Sequence, residues 1–382
     1  MKNRKTLLCL IIMLALLLTG CGAENNTQKA GAWADMQPTG HMDLQYATQF
    51  QVDYYDGGYA LITIQDSDKL LLVPEQAEVP EGLDSDITVL QQPLENLYVA
   101  ASSAMDLFSG LDALDQVRMT STKQSDWSLP EVQQAMENDD LLYVGKYNTP
   151  DYEQILAENC GLAIESSMIY HNPETQEQLE SLQIPVLVER SSYETHPLGR
   201  MEWIKLYGLL LGKTKEAEQY FDERVQQLDT ILSDKQTDKT VAFFYISSNG
   251  YVNVHKPGDY ISKMIELAGG SYVPTAEDLQ VEENALSTMN MQMEAFYAAA
   301  QDVDYIIYNS AIDGELETMD QLLEKSPLLA DFKAVKNHNV WCTGKNMFQQ
   351  TTGAADMIAD LHAVVTDQAA GKDQLTFLHR LK

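Results

Sequence analysis

The sequence predicts an α/β protein of two lobes with mainly parallel sheets, joined by a single long helix, with a cleft between the lobes. Three observations carry this. From Leu97 onward, short apolar runs rich in β-branched residues alternate with helical patterns, which is the signature of βαβ units. The alternation pauses once, at two consecutive helical patterns over Arg200 to Leu211 and Lys215 to Leu232, and then resumes. Finally, 382 residues of which 45% are hydrophobic are enough for two cores.

The elements follow in order. Residues 1 to 20 read as a leader: a basic start (Lys2, Arg4, Lys5), an unbroken apolar run from Leu7 to Leu18, and then Thr19 and Gly20 before Cys21. That run is shorter than the roughly 20 residues a helix needs to cross a hydrocarbon core. Leu18-Thr19-Gly20-Cys21 resembles the bacterial lipobox, in which cleavage leaves a lipidated cysteine as the new N-terminus. Cys21 is therefore expected to be lipidated, with residues 21 to 42 as a flexible tether rich in Asn, Gln, Gly and Ala.

Phe50 to Tyr55 and Tyr59 to Ile64 flank Asp56-Gly57-Gly58 as a hairpin, and Lys69 to Val73 continues it. The βα rhythm then predicts strands at Leu97 to Ala101, Leu141 to Val144, Leu162 to Glu165 and Pro185 to Glu189. Helices are predicted at Met105 to Leu114, Asp151 to Glu158 and Pro173 to Leu182. After the paired helices come strands at Val241 to Ile246, Tyr305 to Tyr308 and Asn339 to Cys342, and helices at Tyr260 to Leu267, Met293 to Ala300, Met319 to Leu323 and Gly353 to Asp367. The expected division is an N-terminal lobe over residues 43 to 211, a connecting helix over 212 to 236 and a C-terminal lobe over 237 to 382. Each lobe is Rossmann-like. Cys160 and Cys342 fall in different lobes, where a bridge would lock any hinge, so both are expected as free thiols.

Composition excludes one partner class at once. With 57 acidic against 25 basic residues, a net charge of −32 and a pI near 4.4, the chain is not built to bind nucleic acid. Catalytic signatures are missing as well: there is no GxSxG elbow, phosphate loop, GxGxxG after a strand or HExxH, and no enzyme is expected.

Several segments, in order and spacing, resemble the lipoprotein substrate-binding components of ABC importers for iron chelates, haem and corrinoids, the class III periplasmic binding proteins. They are Ser102-Ser103-Ala104-Met105-Asp106 after a strand, Asn148-Thr149-Pro150 leading the helix to Leu156, and the helix-to-strand passage Leu179 to Val188 through Ile184-Pro185-Val186. In the second lobe they are Ile265-Glu266-Leu267-Ala268-Gly269-Gly270 and Asp331 to Val340. The resemblance implies an extracytoplasmic receptor, lipid-anchored at Cys21 to the outer face of the membrane. It would hold its ligand in the cleft as a monomer and deliver it to a permease and its ATPase. It also implies acidic docking residues, one at a helix start in each lobe, and Asp106 and Glu294 match them. The bound ligand is expected to be a ferric siderophore-like chelate, with haem or a corrinoid (cobalamin) as alternatives, and no resident cofactor. A sensor or adhesin lipoprotein without transport is the competing reading.

In open α/β sheets the loops at the carboxyl ends of the strands face the cleft. They supply Ser102, Ser103, Trp127, Lys146, Tyr147, Met168 to His171, Arg190, Tyr193 to Arg200, Asn249 to Tyr251 and Lys345 to Gln349. Arg200 and Arg190 offer planar forks of donors to an anionic chelate, and Tyr193 and His196 a ring and an imidazole beside them. Pro197 and Gly199 are read as fixing an irregular loop there. Trp127, Tyr170 and Tyr251 offer stacking surface for a flat ligand. The seven histidines (His41, His171, His196, His255, His338, His362, His379) form no HxH or HxxxH pair, and no bare-metal site is expected. Met289, Met291 and Met293 alternate as core residues of a strand do.

Overall fold

The computed structural model describes residues 31–233, 236–312 and 314–382, so the proposed lipidation site Cys21 lies outside the described residues. Two α/β lobes account for most of the chain. The first is a sheet of five parallel strands in the order Val186–Glu189, Ala163–Ser166, Leu97–Val99, Val117–Thr120, Leu142–Tyr143. The second is a seven-stranded sheet centred on Thr240–Ile246, which is flanked on one side by the parallel strands Tyr305–Tyr308 and Val340–Thr343 and closed at that edge by antiparallel Leu378–Arg380. On its other side Thr240–Ile246 pairs with parallel Ser271–Val273 and with an antiparallel hairpin partner, Val252–His255, which in turn pairs with Thr288–Met291. Between the lobes runs the helix Thr214–Ser233. Cys160 and Cys342 are free thiols, pushed up to about 11 and about 12 by burial.

Each lobe has a core of its own on one side of its sheet, around Tyr98, Met119 and Val188 in the first and Phe244, Phe296 and Phe332 in the second, and the two lobes share another. The shared apolar cluster runs from Leu97, Val99, Ile164 and Leu187 on the first sheet, through Trp203, Ile204 and Tyr207 of the helix Pro197–Leu210. It continues through Phe221 and Leu228 of the connecting helix to Val241, Phe243, Ile307 and Trp341 of the second sheet. Met357, Ile358 and Leu361 of the last helix, Ala354–Val365, belong to it too. Relative movement of the lobes would expose part of this cluster to water at about 25 cal/mol per Å² of apolar area, which restrains any hinge.

A third sheet precedes the lobes. Pro38–His41, Phe50–Tyr55, Ala60–Ile64, Lys69–Val73 and Ile87–Gln91 stack in sequence order, antiparallel except for the last pair. Gly57 and Gly58 make the predicted hairpin turn with φ of 84° and 86°. Pro38–His41 falls within the stretch read as a tether, yet it forms a strand that pairs with Phe50–Tyr55. Two buried carboxylates fasten this sheet to the first lobe. Glu202 accepts from the backbone N–H groups of Gln45, Tyr46 and Ala47 and from Lys205 Nζ at 2.7–3.1 Å, and Glu194 accepts from Thr48 N, Thr48 Oγ1, Gln49 N and Trp203 Nε1 at 2.9–3.0 Å. Gly199 has a different role from the one its loop-like surroundings suggested. It lies in the first turn of Pro197–Leu210, where a Cβ would stand 2.9 Å from the Tyr46 carbonyl oxygen.

Candidate functional site

The carboxyl ends of Ala163–Ser166 and Val186–Glu189 deliver Ser167, Ser192, Tyr193 and Arg200 to one wall of the cleft. The hairpin and the helix Tyr260–Leu267 of the second lobe deliver His255, Asp259, Tyr260, Leu286, Ser287 and Thr288 to the other. Together they enclose a cavity of about 490 Å³, within the range usual for small-molecule sites. Arg200 lays its guanidinium over the Tyr260 ring at 3.9 Å, a cross-lobe cation–π contact that forms one side of the cavity. Behind this pair a much smaller void of about 20 Å³ lies among Met264, Met347, Phe348 and Met357. The cleft is thus open at one end and filled beyond Arg200.

Past that void the lobes are bonded together. The Gln349 side chain accepts from Ser128 N at 2.6 Å and donates to the Asp126 carbonyl at 2.8 Å. Thr351 Oγ1 donates to the Ser103 carbonyl at 2.8 Å, and Thr352 N donates to Asp106 Oδ2 at 2.6 Å.

The predicted residues divide accordingly. Arg200 and Tyr193 line the open cavity, and Tyr193 is 42% exposed. Arg190 is buried beside them and already engaged: Gln49 Oε1 accepts from Nε and Nη2 at 3.4 and 3.3 Å, Tyr170 Oη accepts from Nη1 at 3.3 Å, and Asp66 of the added sheet lies at 3.7 Å. Its guanidinium sits 4.4 Å from the Tyr193 ring centroid, so it holds up that ring and leaves Tyr170 exposed next to it. His196 is turned away. Its Nδ1 accepts from Leu198 N at 3.2 Å as the cap of Pro197–Leu210, its ring stacks on Tyr46 at 4.6 Å, and burial followed by the charge of Lys263 pushes it down to about 4. Trp127 is packed into the core with Leu129 and Val132 and offers no face to a ligand. Ser102 and Ser103 sit at the bonded end, and Tyr251 is at the exposed tip of a turn outside the cavity wall. Asp106 is buried, 6% exposed, with its carboxylate on Thr352, so it cannot present its charge to a partner protein; Glu294 is exposed at the start of Met293–Ala300.

Sequence reasoning missed His255 and Asp259. His255 ends the Val252–His255 strand, and its Nδ1 lies 2.7 Å from Asp259 Oδ1, which also accepts from Ile261 N as the cap of the next helix. The available signal was the spacing His255-x-x-x-Asp259, with the Asp directly before a helical pattern. Among the described residues one His and carboxylate cluster, Glu315, Glu317 and His379, has its ligand atoms within 4.8 Å of one another, and none of the three lines the cavity.

The family model for periplasmic binding proteins matches residues 99–347, starting just after the added sheet. A Methanocaldococcus jannaschii protein named as an uncharacterized lipoprotein is 24% identical over 97% of this chain and 94% of its own length. Among solved structures, the periplasmic heme binding protein of Vibrio cholerae covers 72% of this chain and 98% of its own at 18% identity, with a TM-score of 0.58. A periplasmic heme binding protein from Pseudomonas aeruginosa covers 76% and 99% at 18% identity, also with a TM-score of 0.58. Both share the two-lobed fold. Two sheets bridged by a helix, a cleft at their strand ends and a family match over most of both lobes lead to one conclusion: the chain belongs to the periplasmic binding protein family, the non-enzymatic solute carriers of ABC importers.

Proposed function

We infer that this protein captures an iron complex, a ferric siderophore-like chelate with haem or a corrinoid as alternatives, outside the cytoplasm and hands it to a membrane permease with its ATPase. The observation that carries the reading is the wall of the 490 Å³ cavity. A guanidinium on Arg200, the exposed Tyr193 ring and the Tyr260 ring put donors for anionic oxygens beside aromatic faces. The two heme-binding structural neighbours support the haem alternative. Lipidation at Cys21, a monomeric state and docking through Glu294 complete the reading; relatives named as lipoproteins support the anchor.

Isothermal titration of the purified chain with a ferric trihydroxamate, ferric haem, cobalamin, Mn²⁺ and Zn²⁺ tests it. Saturable binding of an iron complex, weakened roughly 10- to 100-fold in Arg200→Ala, is expected, since a charge-assisted contact contributes about 1.5–3 kcal/mol. A corrinoid as the tightest ligand would replace the iron complex. Heat from none of these would favour a sensor or adhesin.

A further inference from the structure

Resting on the cleft reading above, we propose that His255 coordinates the metal of the captured complex through Nε2, so that the ligand class is a metal complex with an open or exchangeable coordination position.

The geometry of the second-lobe wall points there. The Asp259 carboxylate can only accept, so the 2.7 Å contact places the ring proton on His255 Nδ1 and leaves a lone pair on Nε2. The ring's hydrogen bond among the described residues is made by Nδ1, and His255 lines the cavity while being only 6% exposed. The ring cannot swing away. Phe243 and Tyr260 meet it edge-on at 5.4 and 6.4 Å, Tyr272 Oη donates to the His255 carbonyl at 2.8 Å, and Asp259 is itself fixed by Ile261 N at 3.0 Å. A buried imidazole whose far nitrogen donates to a carboxylate is the usual support for a metal-binding histidine, because the carboxylate fixes the tautomer and raises the basicity of the free nitrogen.

The opposite wall explains why the metal would arrive within a complex. The cavity brings one imidazole and no second histidine to a cation, while Arg200 would repel a bare one. An anionic chelate reverses both terms: its periphery meets Arg200, Ser167 and Ser192, and its metal keeps one position for Nε2. The step is a ligand exchange in which the Nε2–metal bond forms, the metal–water bond breaks and the water leaves. No electron or proton is transferred, and Asp259 keeps the Nδ1 proton in its hydrogen bond throughout. A complex whose chelator fills every coordination position gains nothing from His255.

Absorption spectroscopy on the full chain tests this, with ferric haem and aquocobalamin as coordinatively open probes and cyanocobalamin and a hexadentate ferric trihydroxamate as closed ones. With at least one open probe the metal-centred bands should shift on binding. In His255→Gly the shift should vanish and affinity fall roughly 10- to 100-fold, and added imidazole should restore the shift. Asp259→Asn should keep the shift at reduced affinity. Melting curves of the variants separate loss of coordination from loss of fold. An open probe that binds with the same spectrum in the parent chain and in His255→Gly overturns the coordination while leaving the cleft reading in place; tightest binding by a closed probe does the same. Binding of no probe at all overturns the cleft reading and this inference with it.

Discussion

The two ends of the cleft are built from opposite materials. At the open end, the lobes meet across the cavity through one cation–π contact, Arg200 on Tyr260 at 3.9 Å. At the bonded end, Gln349, Thr351 and Thr352 make four cross-lobe hydrogen bonds of 2.6–2.8 Å to Asp126, Ser128, Ser103 and Asp106. A carboxyl group is buried near each. Asp106 at the bonded end has a backbone donor, whereas Glu165, in the strand that delivers Ser167 to the open end, has none on either oxygen. The contrast teaches where ligand energy can be used. Water and solute enter only where the lobes are not already satisfied by each other, and the bonded end with the shared core acts as the fulcrum.

The largest expected effect comes from the carboxyl group without a partner. Burial, with no opposing donor, pushes Glu165 up to about 8, so it is protonated at neutral pH. The folded state holds this proton more tightly than the unfolded chain, whose glutamate loses it near its ordinary 4.5. The contribution to stability therefore falls as pH rises from about 4.5 to about 8 and is level outside that window. Glu165→Gln removes the titration. Relative to the parent it should gain on the order of a few kcal/mol between pH 5 and pH 8, measured by urea unfolding at both. An unchanged difference between the two pH values would show that Glu165 is not buried as a neutral acid.

At the bonded end the corresponding change runs the other way. Asp106→Ala removes the acceptor for Thr352 N in a buried setting and should destabilise by about 1–3 kcal/mol, the cost of an orphaned backbone donor. Asp106→Asn keeps an oxygen in place and should lose less. Equal losses in the two variants would mean that packing, and not this hydrogen bond, joins the lobes there. Ligand affinity should change little in either, because Asp106 does not line the cavity.

Much of this contrast lay in the sequence, and the remainder was hidden for identifiable reasons. Tyr260–Leu267, Met293–Ala300 and Tyr305–Tyr308 fall where periodicity put them, because each is a plain helix or buried parallel strand with an uninterrupted pattern. Val117–Thr120 escaped because Arg118 breaks its apolar run, its guanidinium leaving the sheet for Glu158 and the Asp139 and Asp140 carbonyls. Val252–His255 escaped because it is an antiparallel addition that does not follow the βα rhythm. His255 ends that strand and so lies outside the predicted strand-to-helix loops. Asp106 was misread for the opposite reason: an acid in a first helical turn looks solvent-facing in sequence, and the Thr352 amide that covers it comes from a segment 246 residues away.

The smallest effect separates the hydrogen bonds of the bonded end from the core beneath them. Gln349 bridges Asp126 O and Ser128 N with one side chain, so Gln349→Ala removes two bonds to partly exposed backbone and should lower stability by about 1 kcal/mol. Global unfolding will barely resolve that, but amide exchange will, because Ser128 N–H loses its acceptor while the helix Pro130–Glu137 next to it keeps its own. Faster exchange at Ser128, with no change at Ser192 or Ser287 across the open cavity, would place the restraint in Gln349. If Ser128 stays protected, the apolar cluster shared by the two lobes holds the bonded end closed, and the asymmetry of the cleft follows from where that core lies.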